Sequence, residues 1–298
     1  MTVVDLRQLT YVEAVARLGG FTRAAEELHV AQPAISAQIA RLERELGTAL
    51  FTRTTRRVTP TRAGQLCVEH ARRIGHELDV LRAQIAAIRG VVTGEVRVGT
   101  ASVLGTLDLP RVVAHYRAAH PGVTVRLRAG LLDELLHLLD DGRLDLVLSP
   151  LREDVPGRFR RVGLVHEDVV LVAPPGEAGV IGDLAAYRDR TFVCMPRGSG
   201  LHRVLTRAAS ERGFVPRIDL EASTTSDVRA LVSAGLGVAL LPESEAYKPG
   251  PPVSIAHPDP EPSHPPIGLI ARPSTPTPAA AAFERVLVAD AAAHPGAR

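Results

Sequence analysis

Along the first fifty residues, apolar side chains recur at helical spacing in three short runs separated by turn residues. Leu6, Leu9, Val12, Val15, Ala16 and Leu18 fall on one face, and Gly19-Gly20 ends that run. Phe21, Ala24, Ala25 and Leu28 continue as the inner face of a second helix, with Thr22 as the expected N-cap. A third opens at Pro33, whose fixed φ suits a first helical position; it buries Ile35, Ile39, Leu42 and Leu46 and stops at Gly47. Three short helices, the last two joined by about four residues, predict a helix-turn-helix.

Beyond it, "LFTRTTRRVTPTRAG" (50–64) alternates apolar and polar residues and predicts a short strand-loop-strand wing that turns at Thr59-Pro60. One long helix then runs from Thr61 to about Arg89. Leu66, His70, Ile74, Leu78, Leu81, Ile85 and Ile88 make an apolar stripe close to an a/d seam. Such a stripe either packs on the chain's own second domain or pairs with its copy, and we favour the dimer.

After Gly94 the pattern changes again. Strands at 95–100, 123–130 and 144–149 alternate with helices at 109–121 and 131–142, an order that implies a parallel sheet with right-handed crossovers. Strands at 168–174, 190–195, 217–223, 236–242 and 267–272 alternate with helices at 200–212 and 226–234, and a last helix spans 277–293. The Pro-rich stretch 248–268 reads as surface connection around one short strand. The expected architecture is α/β with an N-terminal all-α winged helix-turn-helix (1–60), a long helix (61–90) and a C-terminal α/β part (91–298).

Composition adds less than distribution does. Hydrophobic residues make up 45% of the 298 and charged residues 23%, as in a globular chain able to bury a core. Net charge is only +2, yet 50–62 carries Arg53, Arg56, Arg57 and Arg62 and no acid, which is the local footprint expected for phosphate. Cys67 and Cys194 are too few for a disulfide framework. The N-terminus lacks a signal-peptide run, and no stretch approaches the roughly 20 apolar residues of a membrane span. A cytoplasmic protein is expected.

With Ile35, Ile39 and Leu42 facing inward, the third helix turns Gln32, Ser36, Gln38 and Arg41 outward. Ala34 and Ala37 between them are small enough to let it sit deep in a major groove. Gln pairs bidentately with adenine, Ser with any base, and Arg with guanine or phosphate. The candidate DNA-contacting set is Thr22, Arg23, Gln32, Pro33, Ala34, Ser36, Ala37, Gln38, Arg41, Arg53, Arg56 and Arg57. The competing reading, a structural bundle with a solvated polar face, does not account for the arginine-rich wing beside it.

These residues resemble the LysR-type transcriptional regulators over nearly the whole chain. "LRQLTYVEAVARLGGFTRAAEELHVAQPAISAQIARLERELGTALFTRTTRRVTPTRAG" is similar to that family's winged helix-turn-helix. "GEVRVGTAS", "HYRAAHPGVTVRLRAG", "LDELLHLLDDGRLDLVL" and "LVSAGLGVALLP" are similar to its effector domain. The resemblance implies an effector domain like a type 2 periplasmic binding protein, with two doubly wound α/β subdomains (about 91–165 with 268–298, and 166–267). It also implies a homodimer pairing into a tetramer, a small ligand in the cleft, and double-stranded promoter DNA and RNA polymerase as partners. Ala31 and Ala37 stand where the family often has Ser or Thr and Arg, so base preference does not carry over.

Matching the family's motifs places the cleft at Thr100, Ala101, Ser102, Leu131, Ser149, Ser199, Gly200, Thr224 and Thr225. Independently, ligands of open α/β sheets bind at carboxyl edges of strands, and hydroxyls and free N–H groups at helix starts favour a carboxylate. For each Ser or Thr singly, the alternative is a plain N-cap. A small organic acid is the expected effector, although Leu131 makes one wall apolar. No cofactor, metal site or redox switch is expected. An enzyme lacks a supporting motif (no P-loop, G-x-G-x-x-G or G-x-S-x-G), and a transport protein would need an export signal.

Overall fold

A computed structural model describes residues 4–53, 58–88, 92–177 and 183–294. The chain forms two compact units, one of residues 1–91 with 140–143 and a larger one of 92–139 and 144–298.

In the smaller unit, α1 (Leu6–Leu18) starts at a reciprocal cap: the Asp5 side chain accepts from Arg7 N, and the Asp5 N–H donates to Gln8 Oε1. Gly19 ends it in the left-handed region. Helix α2 (Phe21–Glu27) begins one residue before the expected Thr22 cap, with Gly20 at the N-cap and Thr22 already inside the helix. Helix α3 (Gln32–Leu46) starts from Ala31, which offers no side-chain cap, and buries Ile35, Ile39 and Leu42 completely. Leu46, expected inside, is 46% exposed because it lies at the last position, past the core.

Strands β1 (Phe51–Arg53) and β2 (Val58–Pro60) pair antiparallel, with Phe51 opposite Pro60 and Thr52 opposite Thr59. Thr59 and Pro60 therefore belong to the strand and not to the turn, since Pro60 sits at a ladder end where its missing N–H costs nothing. Helix α4 (Arg62–Ile88) is capped by the Thr61 hydroxyl, which accepts Gly64 N at 3.0 Å and donates to Ala49 O at 2.7 Å. A Cβ on Gly64 would lie 1.9 Å from the Leu50 carbonyl oxygen, so the wing base and the helix meet backbone to backbone.

In the larger unit, β3 (Gly94–Thr100), β4 (Val123–Ala129) and β5 (Leu146–Pro150) are parallel, connected through α5 (Leu109–Ala119) and α6 (Leu132–Asp140). Two more strands complete this sheet: β12 (Ile267–Ala271) runs antiparallel to both its neighbours, β5 and β6 (Arg160–Val165), and β6, which the pattern did not announce, therefore points the same way as β3 to β5. The order is β4-β3-β5-β12-β6. Helix α10 (Pro278–Ala293) covers one face through Phe283, and the buried Tyr116 of α5 stacks edge-on against it and donates its hydroxyl to Ala279 O.

The second half holds β7 (Val169–Ala173), β10 (Ala239–Pro242) and the short β11 (Ser254–Ala256) in the order β10-β7-β11. Strands β8 (Thr191–Cys194) and β9 (Arg217–Glu221) are parallel, and a bridge between Phe192 and Val238 links them to the rest. Helices α7 (Gly200–Glu211) and α8 (Thr225–Ser233) and the one-turn α9 (Glu243–Ala246) pack beside them. The chain passes between the two sheets twice, at 166–168 and at 257–266.

Candidate functional site

Two places in the chain carry the residues singled out above. The first is the outward side of α3. Pro33, Ala34, Ala37 and Arg41 are exposed, whereas Gln32, Ser36 and Gln38 are half-buried. Gln38 is not a loose side chain: its Oε1 accepts Gln8 Nε2 of α1 at 3.4 Å. Arg41 is held by Glu45 one turn on at 3.0 Å, and Arg23 donates to Gly19 O at 3.0 Å, while Thr22 is exposed beside it. Arg53 lies in β1, paired through its backbone with Val58, and Arg56 and Arg57 lie outside the described residues. The outcome is a helix with a low, nearly side-chain-free ridge at its N-terminal end and amides and hydroxyls at its margins. An apolar core fixes the opposite face.

On α4, Leu66, His70, Ile74, Leu81, Ile85 and Ile88 are exposed and Leu78 is half-buried. The face carrying Val68, Ala71, His76 and Val80 is the buried one. The apolar stripe is thus not the surface by which this helix meets its own chain.

The second place is a cavity of about 70 Å³ in the larger unit, where the carboxyl ends of β3 and β5 face the start of α7. Ala101, Ser102, Leu131, Ser149, Ser199 and Gly200 line it together. Ser199 caps α7, its hydroxyl accepting His202 N at 3.1 Å, so the N–H groups of Gly200 and Leu201 remain at the cavity without an intrahelical partner. Thr100 is buried just behind, its carbonyl accepting Gly130 N. Thr224 and Thr225 lie outside the lining: the Thr224 hydroxyl caps α8 at Asp227 N, and the Thr225 hydroxyl donates to Glu245 Oε2 at 2.9 Å.

Of the lining residues that sequence reasoning missed, three bear most on the chemistry of the cavity. Arg152 follows β5 in a segment without periodicity, and His264 sits in the Pro-rich connection. Met195 follows β8. His264 is buried, and the loss of water lowers its pKa to about 4, so it lines the cavity as a neutral ring. Gly198 approaches Leu131 so closely that a Cβ would come within 3.1 Å of Cδ1. Burial pushes the Cys194 thiol up to about 12 and raises Cys67 as well, which keeps both protonated and chemically quiet. Among the described residues no cluster of His, Cys, Asp or Glu is arranged to hold a metal ion, and no helix is long and apolar enough to cross a membrane.

A winged helix-turn-helix in one unit and a cavity at the strand ends of an α/β domain in the other are the parts expected of a DNA-binding regulator that responds to a small molecule. Comparison with known proteins makes the class specific. Residues 6–65 match the bacterial regulatory helix-turn-helix protein, lysR family, and residues 89–292 match the LysR substrate binding domain. This chain belongs to the LysR family of DNA-binding transcriptional regulators, with an effector-binding domain and no enzymatic role. The RuBisCO operon transcriptional regulator of Allochromatium vinosum is 35% identical over 246 residues, covering 80% of this chain and 79% of that protein. The DNA-binding transcriptional dual regulator OxyR of Escherichia coli is 30% identical and covers 92% of this chain and 91% of its own. Among solved structures, full-length CbnR complexed with its target DNA matches 96% of this chain and all of that one, at 28% identity and a TM-score of 0.65.

Proposed function

We propose that this regulator binds promoter DNA through the exposed N-terminal ridge of α3 and the wing arginines, and that it acts as a homodimer joined along α4. In the dimer, two recognition helices would address successive major-groove faces roughly 34 Å apart. The observation that carries the DNA reading is the contrast within one helix: Ile35, Ile39 and Leu42 are wholly buried while Pro33, Ala34 and Ala37 are exposed and small. The stripe of exposed Leu and Ile on α4 supports self-association, and pairing of dimers into tetramers would follow the family. RNA polymerase is a further partner, and the cytoplasm is the compartment such a protein works in.

We further propose that the cavity between β3, β5 and α7 takes a small organic acid, whose carboxylate would meet the free N–H groups at the start of α7. The domain limits that accompany this reading are 1–60 for DNA binding, 61–90 for the linker and 91–298 for the effector domain.

One pair of variants tests the DNA assignment. Ser36→Ala should relax base preference at one position, costing about 1–3 kcal/mol on the cognate site only. Arg56→Ala should weaken binding to all sequences and lower the salt slope by about one unit. Equal effects of both variants on cognate and random DNA would defeat the recognition-helix assignment.

A further inference from the structure

Among the described residues that line the cleft, Arg152 carries the only guanidinium, and just 11% of its side chain is exposed. Two carboxylates outside the lining balance its charge. Arg152 Nε and Nη2 donate to Asp154 at 2.8 and 3.1 Å, and Nη2 also reaches Asp133 Oδ1 at 2.9 Å. The two partners are unequal. Asp154 grips two nitrogens and is itself held by Arg203 Nη1 of α7 at 2.6 Å. Asp133, on α6, makes a single bond and is 68% exposed. Arg152 Nη1 has no partner among the described residues.

We infer that Arg152 is the anion anchor of the cleft and that Asp133 is a built-in competitor, displaced when the carboxylate of an effector binds. The inference rests on the organic-acid reading above. A carboxylate bridging Nη1 and Nη2 gains the paired geometry that Asp133 lacks. Released, Asp133, whose side chain is 68% exposed, regains water while the incoming carboxylate takes its place on the guanidinium. A ligand carboxylate that has shed its water against Leu131 and Met195 needs a charged partner far more. Asp154 meanwhile keeps the guanidinium plane aligned, and through Arg203 it ties the anchor to α7, whose first-turn N–H groups face the same cavity. Charge would therefore select the ligand and the helix end would orient it.

Calorimetry on the full-length chain tests this with acetate, pyruvate, succinate and benzoate, each set against its amide. At least one carboxylate should bind the wild type while its amide does not. Arg152→Gln should weaken that binding by about tenfold or more, the equivalent of one charge-assisted hydrogen bond. Arg152→Lys, which keeps the charge without the fork, should fall between them, and Asp133→Asn should tighten it several-fold. Glu134→Gln serves as the charge control: this acid pairs with Arg128 at 2.7 Å and does not line the cleft, so its loss should change nothing. Should Arg152→Gln fail to fold, Arg152→Lys and Asp133→Asn still decide. If the wild type binds none of the carboxylates, the organic-acid reading fails and the anchor falls with it. If a carboxylate binds wild type and all Arg152 and Asp133 variants alike, only the anchor is overturned. Equal tightening by Glu134→Gln and Asp133→Asn overturns it too, because the effect is then one of bulk charge.

Discussion

Glu43 of α3 accepts the backbone N–H of Leu50 at 2.8 Å and that of Phe51 at 3.3 Å with a single carboxylate oxygen. Helix α3 and the start of the wing are therefore tied by one side chain, fixed on one element and holding the first residues of the other. Replacing Glu43 by Ala should cost the DNA-binding unit about 1–3 kcal/mol, since it leaves two donors without their charged acceptor. Thermal unfolding would read that loss. Fluorescence anisotropy should show weaker binding to cognate and random DNA together, with Glu43→Gln milder in both.

Gly64 offers a sharper test of the same junction. Its missing Cβ would stand 1.9 Å from the Leu50 carbonyl oxygen, which is backbone and cannot swing aside. Gly64→Ala should destabilise the N-terminal unit by about 1–3 kcal/mol or more, whereas Gly75→Ala on the same helix, with open space at its Cβ, should raise the melting temperature slightly. Equal melting temperatures for the two variants would contradict the backbone contact.

The exposed stripe on α4 predicts an effect on assembly with little effect on folding. Leu81 and Ile85 are 51% and 52% exposed, so Leu81→Glu with Ile85→Glu removes no buried contact within the chain. On the proposed α4 dimer, sedimentation should show the wild type as dimers and the double variant as monomers, with an unchanged far-ultraviolet dichroism spectrum. Operator affinity should fall with dimerisation.

Two buried groups, His264 in the cleft lining and Glu167 outside it, predict opposite responses to pH. His264 is held down to about 4 by burial, against an ordinary value near 6.5, so protonating it is a cost borne only by the folded state. Stability should be unaffected above that ordinary value and fall as pH drops from 6.5 toward 4, by about 3 kcal/mol in all. Denaturant melts of His264→Gln should show a flatter curve over that window.

Glu167 runs the other way. Its carboxyl lies buried at the first crossing between the sheets, with Oε1 accepting Ser244 N at 2.9 Å, and burial raises its pKa. The unfolded chain gives up this proton at lower pH than the folded one, so stability declines as pH climbs from the ordinary carboxylate range through the raised value. Glu167→Gln keeps the acceptor for Ser244 and removes the charge. It should be more stable than wild type at neutral pH and equal to it in acid.

Much of this was legible in the residues, for reasons that can be named. Ile35, Ile39 and Leu42 spell out the buried face of α3 because a helix repeats locally and its core neighbours lie within fifty residues. Strand β6 gave no such signal: its sequence, RRVGLV, lies at a sheet edge with three of its six positions exposed, so nothing forces an apolar alternation. The turn of the wing was set too late because Thr59-Pro60 has turn chemistry, yet at a ladder end the same pair fits a strand. For the cleft, the positions at strand and helix ends were readable from topology. Arg152 and His264 were not, since they arrive on irregular segments whose path is fixed by distant packing. Thr225 shows the converse: its hydroxyl was spoken for by Glu245, a partner twenty residues away that no local pattern announces.

The position of β12 has a consequence for how the chain is made. Its five residues fill the slot between β5 and β6, yet they follow every other strand of both sheets in synthesis. As the protein leaves the ribosome, the entire second sheet can close while the first still gapes down its middle, with β5 and β6 each showing an unzipped edge. A premature stop between Val165 and Ile267 would thus yield a nascent chain with two sticky margins and nothing to join them, a product fit for chaperones or proteases and useless as a shorter regulator.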